Sequence, residues 1–130
     1  MNVNEVIVAL KAHPQYAKMG MIATHLGVVR GTSIDGREVS GMEVRFKEKV
    51  VAQILREAKS MPGVIEVVAE TRGGRLKVGE EVMLVAVGGD TREHVFPALI
   101  KTVDRIKSEG TEKTEFFTQD PSFKFRSRQR

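Results

Sequence analysis

The residues with the clearest chemical potential are four cations: Arg30, Arg92, Lys107 and Lys113. An arginine fork or a lysine ammonium holds phosphate or carboxylate and stabilises negative charge that develops during group transfer. Arg30 ends one apolar run, Arg92 opens a helical one, Lys107 lies near that helix's end, and Lys113 just beyond it. Spacing alone does not unite them, because Arg92 and Lys107 stand about 22 Å apart along one helix. Convergence requires a second subunit or a folded-back strand. Plainer readings stay open: Lys107 complements the negative end of its helix. Gly88-Gly89-Asp90 before Arg92 is either an anion seat at a helix N-terminus or an ordinary turn with a solvated arginine.

Other chemistries find no support in the residue types. The chain has no cysteine, which excludes disulfides, thiolate zinc sites, iron–sulfur clusters and thiol catalysis. His13, His25 and His94 lack metal-site spacing, so neither a metal nor a cofactor is expected. The serines lack a nucleophile elbow, and Gly73-Gly74 and Gly88-Gly89 lack the dinucleotide fingerprint spacing.

Composition, at 130 residues with 41% hydrophobic and 29% charged, fits one globular domain. The formal charge of +4 comes from the end of the chain. Residues 121–130 carry Lys124, Arg126, Arg128 and Arg130 without an acid, and removing them from 21 bases and 17 acids leaves a neutral body of 17 against 17. The expected division is therefore one domain over residues 1–118 and a basic tail over 119–130. With one Tyr, no Trp and a neutral body, nucleic acid is not the expected partner. No apolar run approaches the ~20 residues of a membrane span, Glu5 interrupts any leader, and a cytoplasmic location is expected.

The elements that must position these cations read as β-β-α-β-β-α-β. Residues 21–29 form a strand, Asp35-Gly36 a hairpin turn, and Met42, Val44 and Phe46 alternate in a second strand with a bulge or close contact at Gly41. Val50, Val51, Ile54, Leu55 and Ala58 mark a helix over 47–60, ended by Pro62-Gly63. A strand over 64–70 leads through a glycine-punctuated connection into residues 81–88, whose unbroken apolar run predicts a central strand covered on both faces. A second amphipathic helix runs from about 91 to Gly110, with Asp90 and Glu93 as a capping box and Pro97 disturbing its start. Residues 113–118 form an edge strand with Phe116 or Phe117 inward. The sum is an α+β fold around a mixed sheet with two main amphipathic helices.

Ordered motifs then give a family resemblance over about residues 20–116. Gly27-Val28-Val29-Arg30 closes the first strand, Arg72-x-Gly74-x-Leu76-x-x-Gly79-Glu80 leads into the central strand, and Arg92-x-x-x-Phe96 opens the second helix. Ile106-Lys107 and Lys113-Thr114-Glu115 complete the set. In these features the chain resembles the large, catalytic subunit of molybdopterin synthase. The resemblance implies an α/β hammerhead fold and a homodimer within a heterotetramer, each end binding a small ubiquitin-like sulfur-carrier subunit. The implied reaction transfers sulfur from the carrier's C-terminal thiocarboxylate to cyclic pyranopterin monophosphate, forming molybdopterin. It assigns Lys107 and Lys113 to catalysis, and Arg30, Arg92, Val29, Thr91 and Glu115 to binding of the pterin phosphate in a pocket shared by two subunits. Where the family has lysine, histidine and an aromatic residue, this chain has Val28, Thr91 and Glu112. An acid at 112 is expected to pair with a neighbouring lysine. These departures favour the alternative of a non-catalytic paralogue that binds a ubiquitin-like protein or an anionic small molecule.

Overall fold

The computed structural model describes residues 2–118 and the backbone of residues 127–129. Three helices and seven strands follow in the order α1 (Val3–Lys11), β1 (Met21–Val28), β2 (Val39–Phe46), α2 (Glu48–Lys59), β3 (Val64–Thr71), β4 (Gly74–Lys77), β5 (Glu81–Gly89), α3 (Arg92–Glu109), β6 (Thr111–Phe117) and β7 (Ser127–Gln129). The α+β class holds, but the described strands form two sheets, β1-β5-β3 and β4-β2-β6-β7, in place of one mixed sheet. Every pairing is antiparallel. The physical reason lies at the end of β1. The register with β5 slips between Gly27 and Val28, a bulge that turns the chain out of the first sheet before β2 begins.

The expected turn at Asp35-Gly36 forms, with Gly36 at φ +87° and its N–H donating to the Ser33 carbonyl at 2.9 Å. It does not join β1 to β2 as a hairpin, since these strands belong to different sheets. Gly41 meets both parts of its expectation. The β2–β6 register shifts between Val39 and Gly41, and a Cβ on Gly41 would lie 2.6 Å from the Leu76 carbonyl oxygen. The stretch expected to be only a connection contains β4, which pairs with β2.

β5 is the central strand the apolar run predicted. Met83, Val85 and Val87 face α2 and α3, packing with Ile54, Val95, Ala98 and Ile106. Leu84 and Ala86 point to the opposite face and pack under Val6 and Leu10 of α1. α1 has no counterpart among the expected elements, although Val3, Val6, Ile7 and Leu10 carry helical spacing and the Asn2 side chain caps the Glu5 N–H.

α3 runs unbroken from Arg92 through Pro97, whose missing donor lies on an exposed face. The Asp90/Glu93 capping box does not form. Thr91 is the N-cap without a side-chain cap, and Asp90 instead accepts from the Thr91 N–H at 2.6 Å and pairs with His94 Nδ1 at 2.8 Å. β6 is not an edge, because β7 pairs with it, and Phe116 and Phe117 are both buried. Lys124, Arg126 and Arg130 of the expected basic tail lie outside the described residues.

Candidate active site

A cavity of about 480 Å³ opens where the two sheets meet the C-terminal end of α3, and Arg30, Lys107, Lys113 and Glu115 line it. Each is delivered by a different local cause. The bulge after Gly27 re-aims the end of β1, so Arg30 leaves the sheet at the cavity mouth. There its Nε donates to the Thr32 carbonyl at 2.8 Å, which fixes the base of the guanidinium fork. Lys107 follows the fully buried Ile106 in the last turn of α3. Gly110 then ends the helix, and β6 folds back along β2 with Lys113 opposite Val44. Of the two routes to convergence, a second subunit or a folded-back strand, β6 supplies the second for Lys107 and Lys113.

Val29 also lines the cavity, but its backbone is already engaged: its N–H donates to the Glu80 carbonyl and its carbonyl accepts from the Gly79 N–H. Its contribution is a buried apolar wall. Glu115 is buried at 8% exposure and brings a carboxyl to the same space. Thr91 and Arg92 do not reach this cavity. They sit at the far end of the 18-residue α3, where exposed Arg92 lies 3.8 Å from Glu93. Within one protomer the structure brings together Arg30, Val29, Lys107, Lys113 and Glu115 and leaves Thr91 and Arg92 apart.

Among the described residues no carboxylate forms an ion pair with Arg30, Lys107 or Lys113. Glu112 does not pair with a neighbouring lysine as expected. Strand alternation turns it away from Lys113, and it takes a hydrogen bond from Arg45, its register partner on β2. That bond and the Arg45 charge hold the Glu112 carboxyl below its ordinary range. Three cations thus face one concave, partly apolar space against a single acid, Glu115, an excess of positive charge that attracts phosphate or carboxylate and stabilises charge developing there. The rest of the lining is apolar, with Met42, Val44, Phe46 and Val82 inside and Val28 and Ile34 at the mouth. Val28 and Ile34 are 53% and 83% exposed. The sequence marked Val28 as a departure from the family's lysine and Ile34 only as part of a turn, although an isoleucine beside Asp35-Gly36 is itself an unusual exposed apolar side chain.

No group of three or more His, Asp or Glu among the described residues could hold a metal ion, and no described helix is long and apolar enough to cross a membrane. His13 lies 3.7 Å from Glu66, and His94 is held by Asp90.

The family model described as MoaE protein matches residues 1–109. The chain belongs to the MoaE family. It is similar to a molybdopterin synthase catalytic subunit from Ralstonia nicotianae, 34% identical over 109 residues that cover 80% of this chain and 60% of that relative. This MoaE-family chain thus spans less than two thirds of that relative's length. Among solved structures it is similar to a molybdopterin biosynthesis MoaE protein from Burkholderia ambifaria, with a TM-score of 0.73 at 27% identity, covering 99% of this chain and 82% of that one. A chain in a complex of subunits 1 and 2 of molybdopterin-converting factor from Helicobacter pylori shares the fold, with a TM-score of 0.66 at 14% identity over 93% of this chain and 86% of that one.

Proposed function

We propose that this chain is a molybdopterin synthase catalytic subunit, a sulfurtransferase that takes sulfur from the C-terminal thiocarboxylate of a small ubiquitin-like carrier and delivers it to cyclic pyranopterin monophosphate. The observation that carries the reading is the meeting of Arg30, Lys107 and Lys113 in one cavity, three cations against the single acid Glu115. Arg30 is suited to hold the pterin phosphate through its free guanidinium N–H groups. Lys107 and Lys113 are suited to stabilise negative charge as the carrier carbonyl and the pterin carbon exchange sulfur. The exposed Val28 and Ile34 at the mouth suit an extended, uncharged carrier tail entering the cavity.

The reading assigns Arg92 and Thr91 to the pocket of a second copy. A homodimer carrying two carriers would bring the N-terminal end of one α3 to the cavity of the other protomer, meeting the separation of about 22 Å within one chain. The hammerhead arrangement, the cytoplasmic location and the division into a domain of residues 1–118 and a tail of 119–130 belong to the same proposal.

The test is reconstitution of the purified chain with thiocarboxylated carrier and cyclic pyranopterin monophosphate, with molybdopterin detected as its fluorescent oxidised derivative. Product that depends on Lys113 supports the synthase reading. The second reading, a paralogue that binds carrier or anion without turnover, is favoured by one observation: Val28 stands at the cavity mouth where the family carries a lysine. Carrier binding with no product would support it and sink the first.

A further inference from the structure

His25 stands on β1, on the face that carries Met21 and Ala23 into the core beneath the helices, and pairs in register with Val85 of β5. Its Nε2 is buried and meets no hydrogen-bond partner among the described residues. Two residues on, Gly27 lines the cavity, and a Cβ there would stand 3.3 Å from that nitrogen. The imidazole edge therefore lies on the same face of β1 as the space left by the absent Gly27 side chain, next to the cavity lining.

Burial first, and the Lys107 charge second, push the His25 pKa below the ordinary histidine value, so the ring is neutral at neutral pH. Lys107, from α3, is the charged group among the described residues that acts on it, whereas β5 opposite brings Met83 and Val85, which do not titrate. An unpaired buried nitrogen is unfavourable, and a phenyl ring would fill the same space without it. Lys107 offers three N–H donors and has no ion-pair partner among the described residues.

We propose that His25 is a positioning residue for the sulfur transfer, its Nε2 lone pair accepting a hydrogen bond from the Lys107 ammonium and so drawing that ammonium onto the cavity wall. The inference rests on the sulfurtransferase reading above. Acidification protonates Nε2 and abolishes the acceptor.

The experiment combines rates and an imidazole NMR titration of the full chain. His25→Phe is expected to fold, since it removes an orphaned polar atom, and to lower kcat roughly 10- to 100-fold with little change in KM, the span of one charge-assisted hydrogen bond. The wild-type rate should fall on the acid side as His25 protonates, and that limb should vanish in His25→Phe. His25→Gln, a neutral acceptor that cannot titrate, should recover part of kcat and lack the limb. In the protein alone, Lys107→Gln should raise the His25 pKa. A His25→Phe protein with the wild-type rate and pH profile overturns the proposal. If the wild-type chain makes no product, the sulfurtransferase reading fails, and a His25 titration indifferent to Lys107→Gln overturns the pairing on its own.

Discussion

Lys107 and Lys113 line one cavity because the chain reverses between them, α3 ending at Gly110 and β6 returning along β2. Both side chains are exposed, so neither is held by core packing, and their roles separate cleanly from folding. Lys113→Ala should reduce product formation by at least about 100-fold, the scale of removing one preorganised charge-stabilising group. The thermal midpoint should stay close to wild type, because surface substitutions fall within about 0.5 kcal/mol. Undiminished product from this variant would contradict its catalytic assignment.

Subunit sharing of the pocket has its own signature. Lys107→Ala and Arg92→Ala chains should each be inactive alone, yet a mixture allowed to exchange subunits should regain about a quarter of wild-type activity, because half the dimers then hold one intact site. A mixture as inactive as its components would place Arg92 outside the reaction.

Much of the fold was legible because burial imposes period. Met83, Val85 and Val87 face one layer and Leu84 and Ala86 the other, so the run had no polar alternation and declared itself central. Ile54 and Ala58, or Val95 and Ile106, declared helices in the same way. What pattern could not reveal is which strand pairs with which. The split into two sheets turns on a slip of register at Gly27/Val28 and on partners far apart in sequence, such as Val44 with Lys113. The site shares this limit: Arg30 and the two lysines were identifiable as cations, but their meeting is a property of the reversal at Gly110. Asp90 mimicked a capping residue by type and spacing, yet its carboxylate is taken by His94.

Ile106 anchors the turn that carries Lys107 and is fully buried among Val51, Val85 and Val103. Ile106→Ala should destabilise the chain by about 2–5 kcal/mol through lost transfer energy and a residual cavity. Denaturant unfolding measures it. A change below about 1 kcal/mol would show that the cluster is loosely packed.

Acid should weaken the fold through its carboxylates. Glu112 is held below its ordinary pKa by Arg45, Glu57 by Gln53 and Arg105, Glu109 by Arg105, and Asp90 by His94. A lowered folded-state pKa means stability that is present above the unfolded value and lost as pH falls through the folded one. The thermal midpoint should therefore drop as pH falls below about 4.5, and Glu112→Gln should make that drop shallower. All four groups are at the surface, so added salt should shrink the effect; a midpoint flat from neutral to acid pH would show that these pairs contribute nothing.

Gly41 lies against β4 with no room for a methyl group beside the Leu76 carbonyl. Gly41→Ala should cost about 1–3 kcal/mol by forcing backbone apart. Because Met42 and Val44 on the same strand line the cavity, product formation should fall with it. A variant with wild-type melting and turnover would show that β4 moves freely.

The excess of three cations over one acid in the cavity gives the fold a further property. Like charges gathered in one concave space repel one another, so the folded chain carries a tension, only partly offset by Glu115, that the unfolded chain with its charges dispersed does not. An anion that enters relieves it and binds only the folded form, so occupancy and folding become one equilibrium. Any anion that fits the cavity then stabilises the chain in proportion to its concentration, so the site that holds a ligand also holds the fold.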